Sequence, residues 1–224
     1  MLKITELYFE YPRSDFHLRI NHLIFKMGST HALIGPSGSG KTTLLNLIAG
    51  ISIPQAGTIE YRNTVISKLS ETERRAFRIS KIGFVFQDFK LINYLTVQEN
   101  IRLPFRINAR LKADHNILDR IEVLSQYTGI SKYLKKYPNA LSQGERQRVA
   151  ICRALVTQPE LILADEPTGN LDPKNKKKIL ELLFTYCREE GTTLITVTHD
   201  HELLPEFDQV IDFSKLLIEN EPKQ

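Results

Sequence analysis

The stretch Gly35-Pro36-Ser37-Gly38-Ser39-Gly40-Lys41-Thr42 fits the pattern G-x-x-x-x-G-K-[ST] at every position. His31–Ile34, just before it, is a short apolar run of strand character. Thr43–Ala49, just after it, has the composition of a helix, with Gly50 placed to close it. A glycine loop between a strand and a helix is a phosphate cradle: its backbone N–H groups turn inward around an anion, and the helix points its positive end at the same place. An ordinary glycine turn does not require those flanks. In such a loop Lys41 is expected on the β- and γ-phosphates and the Thr42 hydroxyl on Mg²⁺, with Gly35 through Thr43 lining the triphosphate. The chain is therefore expected to bind a nucleoside triphosphate.

Acids belong near such a site, and one pair stands out. Leu161-Ile162-Leu163-Ala164 reads as a buried parallel strand, and Asp165 and Glu166 follow at its carboxyl end, where ligands bind in α/β sheets. Adjacent carboxylates repel each other and serve no packing purpose, so a cation nearby is the natural explanation. Asp165 is expected to hold Mg²⁺. Glu166, which strand alternation turns the other way, is expected to orient or deprotonate an attacking water. Pro167-Thr168-Gly169-Asn170 turns the chain; Asp172 then caps a helix from Pro173 to Glu190, closed by Gly191. His199 ends the next strand, Thr192–Thr198, and is read as functional for that position.

Other segments are less decisive. Leu2–Glu10 and Phe16–Lys26 form a predicted β-hairpin around the turn Tyr11–Asp15. Tyr11 either stacks on an adenine ring or covers the hairpin's apolar face, and spacing alone does not choose. Gly57–Tyr61 reads as a strand, and Ser70–Ile79 as a helix opened by a Ser70/Glu73 capping box. Ile82–Phe86 is a buried-type strand ending at Gln87, which is positioned to touch Mg²⁺ or the water. From 88 to 158 the chain turns helix-rich and interrupts the strand–helix alternation, as an inserted helical subdomain would. Within it Ser142 and Glu145 have capping-box spacing ahead of a helix over Arg146–Thr157, and capping by itself accounts for both residues.

At 224 residues the chain suits one α/β domain with such an insertion. The net charge of +4 is too mild to argue for nucleic acid, and none is expected as a partner. The lysine-rich stretches Lys132–Lys136 and Lys174–Lys178 read as solvated helix faces. Cys152 and Cys187 lack metal spacing and are expected as buried, reduced thiols. No apolar run approaches the roughly 18 residues of a membrane span, and the start has no signal-peptide pattern. A cytoplasmic protein is expected, held at a membrane only by a partner.

Taken in order, these pieces resemble the ATP-binding-cassette (ABC) ATPases over nearly the whole chain. Gly35–Thr42 matches the Walker A motif, Gln87 the Q-loop glutamine, Leu141–Glu145 the signature motif and Leu161–Asp165 the Walker B strand. Glu166 matches the catalytic glutamate, Asn170-Leu171-Asp172 the D-loop and His199 the switch histidine. The resemblance implies a P-loop NTPase (RecA-like) α/β core with an N-terminal antiparallel β subdomain, together spanning 1–87 and 159–224, and an inserted α-helical subdomain at 88–158. It also implies ATP and Mg²⁺ as cofactors, Tyr11 as the adenine-stacking aromatic, and Gln87 and His199 as sensors of the γ-phosphate. In the family ATP lies between two subunits, so Ser142 and Gly144 would reach the partner's triphosphate, and Asp172 of the D-loop is also expected to bind the nucleotide. The signature departs at Gln143 and Glu145, where the family has Gly and Gln, and the capping box directs Glu145 back to the backbone.

Lys81–Leu91, Leu95–Ile101 with Pro104, and Ala164–Asp172 resemble the group of lipoprotein-releasing, macrolide-efflux and cell-division ATPases. These drive an integral membrane, permease-like subunit mechanically from the inner face of the cell membrane. A non-transport cassette ATPase of cell division or envelope remodelling is the alternative. The tail Gln209–Gln224 lacks the basic ending common in the family.

Overall fold

The computed structural model describes residues 1–108, 111, 116–169 and 171–216. The chain opens with β1 (Leu2–Glu10), β2 (His17–Phe25), β3 (Thr30–Ile34), α1 (Lys41–Ile48), β4 (Ala56–Tyr61), β5 (Thr64–Val65), α2 (Glu71–Lys81) and β6 (Ile82–Val85). It continues through α3 (Val97–Ile107), α4 (Ile117–Tyr127), α5 (Gln143–Leu155), β7 (Leu161–Asp165), α6 (Pro173–Glu190), β8 (Thr193–Val197) and β9 (Gln209–Asp212).

The strands form two sheets. The antiparallel one runs β2-β1-β4-β5, and the parallel one β6-β7-β8-β3-β9. In β1 the apolar alternation Leu2, Ile4 slips by one to Leu7, Phe9, and the slip is a bulge: the register with β4 shifts between Thr5 and Tyr8. Glu6 takes φ 48° there, and Gly57 opposite is indispensable, since a Cβ on it would lie 2.3 Å from the Glu6 carbonyl oxygen.

The parallel sheet is covered on both faces, which is why β7 reads as a continuous apolar run. Leu161 and Leu163 point to one side, joining Leu44, Leu45 and Ile48 of α1 and Ile4 and Leu18 of the antiparallel sheet. Ile162 and Ala164 point to the other, joining Val149 and Ile151 of α5 and Leu180 and Leu183 of α6. Both cysteines are buried on that second side, and burial pushes their thiols up to about 12, leaving them inert.

The helix ends follow local chemistry. Capping boxes open α2 at Ser70, α3 at Thr96 and α5 at Ser142. Asp172 caps α6, with Pro173 first and left-handed Gly191 closing it, as the sequence predicts. Two starts differ from expectation. Helix α1 begins at Lys41 rather than Thr43, and α5 at Gln143 rather than Arg146, because the capping residues are Gly40 and Ser142 themselves. Asn170 and the tail from 217 onward lie outside the described residues.

Candidate nucleotide-binding site

Because all five strands of the second sheet run parallel, their carboxyl ends share one edge. Along it the order β6-β7-β8-β3 lines up Gln87, Asp165 with Glu166, His199 and then the glycine loop. Residues scattered over 160 positions of sequence thus become neighbours. Tyr11, Ser37, Gly38, Gly40, Lys41, Thr42, Thr43, Glu166 and His199 line a single pocket, together with Phe16.

The loop itself is shaped by Gly40, which caps α1 at φ 102° and abuts Phe16, whose Cζ would lie 2.8 Å from any Cβ placed there. Lys41 is 5 % exposed and curls back over the loop. Its Nζ donates to the carbonyl oxygens of Gly35 at 2.9 Å and Pro36 at 2.7 Å. Burial lowers its pKa, and the charges of Glu166 and Asp165 oppose that shift. An ammonium bonded to the neutral oxygens of its own loop, the Ser39 hydroxyl at 3.5 Å included, is suited to exchange them for an anion's oxygens.

Thr42 Oγ1 donates to Asp165 Oδ1 at 3.1 Å, joining the start of α1 to the end of β7. Burial pushes the Asp165 carboxyl up, against the pull of the Thr42 bond, and the neighbouring Glu166 charge raises it further. A cation would relieve both burdens. Among the described residues no group of three or more His, Cys, Asp or Glu could cage a metal. One hydroxyl and one carboxylate fit Mg²⁺, a hard ion that keeps waters and substrate phosphate oxygens as its remaining ligands.

Glu166 is not positioned by strand alternation as the sequence predicts. Strand β7 stops at Asp165, and Glu166 takes the left-handed φ of 45° while its N–H still donates to Val197 of β8. That twist places its carboxylate between two partners. Gln87 Nε2 donates to Oε2 at 3.0 Å, and His199 Nε2 lies 3.0 Å from Oε1. The Gln87 amide is therefore engaged by Glu166 in this structure, not by the Thr42–Asp165 pair.

Tyr11 packs on the hairpin's apolar side and also lines the pocket. Its ring stands edge-on to Phe9 at 4.8 Å, and its hydroxyl lies 3.2 Å from Thr43 Oγ1. It remains 38 % exposed at the pocket mouth, leaving surface free for a planar ring. Phe16, missed from sequence, sits 5.8 Å from Tyr11 across the hairpin; the signal was an aromatic at the first position after the predicted turn.

Ser142, Gly144 and Asp172 are not in this pocket. Ser142 N donates to Glu145 Oε2 at 2.8 Å, so the unusual Glu145 is turned back onto its own helix end. Hydrogen bonding, first from Tyr133 and then from Ser142, holds its carboxyl below the ordinary value. Gly144 faces Leu171 and Asn175 beside the start of α6, so the α5 N-terminus and the Asp172 cap stand together, apart from the glycine loop.

The parallel sheet order, the loop between β3 and α1, and the buried carboxylate bonded to its threonine define a P-loop nucleoside triphosphatase. A sequence model described as ABC transporter matches residues 18–169. The lipoprotein-releasing system ATP-binding protein LolD 1 of Rhodopirellula baltica is 41% identical, over 93% of this chain and 92% of its own length. The macrolide export ATP-binding/permease protein MacB of the same organism is 40% identical over 90% of this chain, which corresponds to 30% of that longer protein. A dimeric post-hydrolysis structure of the ATP-binding cassette MJ0796 bound to ADP and Pi superposes with a TM-score of 0.85 at 35% identity, covering 95% of this chain and 94% of that one. The chain belongs to the ABC transporter family, and it is an ATPase of the cassette type.

Proposed function

We propose that this chain works as an ATP-closed, Mg²⁺-dependent homodimer on the inner face of the cell membrane. There it powers an integral membrane subunit of the lipoprotein-release or macrolide-efflux type. The observation that carries the mechanism is the Glu166 carboxylate, held at both oxygens by Gln87 and His199 beside Lys41. A base fixed in this way is ready to take a proton from a water attacking in line with the γ-phosphate. Lys41 would exchange its two loop carbonyls for phosphate oxygens, the N–H groups of Ser37 through Thr42 would cradle the rest, and Tyr11 would stack on the adenine. Thr42 and Asp165 would hold Mg²⁺, which supplies charge neutralisation on the triphosphate when bound.

Ser142 and Gly144 would face the triphosphate of a second copy, bringing a capped helix N-terminus to stabilise developing charge. The dimeric form of the MJ0796 cassette supports that assignment. Residues 88–158 act as the helical subdomain that passes closure to the membrane subunit, with 1–87 and 159–224 as the catalytic core. An apolar groove between the two supports this: Ile51, Phe84, Leu103 and Ile107 line it with Arg78, Lys90 and Arg153. Among the described residues no helix is long and apolar enough to cross a membrane, so attachment falls to the partner.

The test is Glu166→Gln. Phosphate release should fall on the order of a hundredfold or more, and Mg²⁺ with ATP should shift the variant to a dimer in size-exclusion chromatography. Undiminished hydrolysis in this variant would remove Glu166 from the role of base.

A further inference from the structure

Immediately after Gln87 the backbone does something that side chains resist. Phe89 and Lys90 are consecutive left-handed residues, at φ 58° and 49°, and neither is Gly, Asn or Asp. Such a pair persists only where the surroundings enforce it. The enforcing group is Arg153, in the last turn of α5. Its Nη2 donates to the Phe89 carbonyl oxygen and its Nη1 to the Lys90 carbonyl oxygen, both at 2.5 Å, so a single planar fork clamps the two carbonyls side by side. The turn is completed by Phe89 N–H on the Phe86 carbonyl at 3.1 Å. Burial draws the Arg153 guanidinium down to about 10, still charged at neutral pH, and desolvation of this kind strengthens the bonds it makes.

We propose that Arg153 is a positioning residue: by holding the Phe89–Lys90 turn in its left-handed form, it keeps Gln87 against Glu166. The same clamp ties the helix that begins at Ser142 to the loop that carries Gln87, so a shift of α5 moves the Gln87 amide. Arg153 and Lys90 also border the apolar groove, which puts the clamp within reach of whatever docks there. The inference rests on the reading of Gln87 as the partner of the Glu166 base.

The experiment measures basal ATPase kinetics of the full chain together with hydrogen exchange at the amides of residues 86–92. Arg153→Met should lower kcat on the order of tenfold or more while the KM for ATP stays within about twofold, the pattern of a displaced group that does not bind substrate. Exchange at 86–92 should rise. In a Gln87→Ala background the same substitution should cause no further loss, because the two act in series. Adding Lys90→Gly to Arg153→Met should recover a severalfold share of kcat, since glycine adopts the left-handed form without a clamp. Should Arg153→Met fail to fold, Arg153→Lys carries the same comparisons, keeping the charge and losing the fork. A loss equally large with and without Gln87, or unchanged exchange at 86–92, would overturn the proposal and leave Gln87's own role standing. Gln87→Ala turning over at the unmodified rate would overturn the Gln87 reading, and this inference with it.

Discussion

Asp165 shows what a binding site demands of a single residue. It is 8 % exposed, it accepts from the neutral Thr42 hydroxyl, and it sits beside another carboxylate. Burial raises its pKa in the folded chain above the unfolded value. A group shifted that way favours folding while protonated, and the contribution is lost as pH rises through the raised value. A charged Asp165 is therefore unfavourable in the folded chain, and a bound cation would relieve it. Asp165→Asn keeps an acceptor for Thr42 and removes that charge. Its melting midpoint without nucleotide should rise by about 2–4 °C, the shift that about 1 kcal/mol gives a domain of this size. The advantage should disappear as pH falls into the carboxylate range, and Mg²⁺-dependent hydrolysis should be lost. Calorimetry across pH and a phosphate-release assay check the two halves.

At the scale of elements, the same device is used for different ends. Ser70 and Ser142 each open a helix with a complete capping box, and in each the hydroxyl accepts from a backbone N–H at 3.4 Å. Removing either hydroxyl should cost about 1 kcal/mol of stability in a urea titration. Ser70→Ala should leave ATP turnover untouched, whereas Ser142→Ala should lower it, since only the second cap is proposed to face a triphosphate. Equal turnover in the two variants would leave Ser142 with a capping role alone. The boxes themselves are visible in sequence because a cap depends on residues three apart. The cap at Ser142 marks the start of α5, three residues before the expected Arg146.

For the whole molecule, the apolar groove is the place where the proposed membrane subunit would meet the helical segment. Ile107 is 60 % exposed on its rim, too much for a residue whose purpose is the core. Ile107→Glu should leave basal ATPase within about twofold of the unmodified chain, because surface changes away from a site are usually mild. It should also weaken co-purification with the membrane subunit by at least tenfold, the cost of burying an unpaired charge at an interface. Pull-down against the partner in detergent, with and without ATP, reads this directly.

What the sequence by itself determined was whatever nearby residues settle: the glycine loop with its strand and helix, the caps at Ser70, Ser142 and Asp172, the carboxylate pair at 165–166, and the apolar runs. Each is written in a window of a few residues, because hydrogen bonds of turns and the periods of strand and helix are local. The tertiary structure alone decided the rest. Strand order set Gln87, Glu166 and His199 side by side, a left-handed turn aimed Glu166 between them, Phe16 was brought against Gly40, and Arg153 reached back more than sixty residues to clamp Phe89 and Lys90. Those contacts come from which strands pair and which faces bury, and that choice minimises exposed apolar surface over the whole chain rather than over any segment of it.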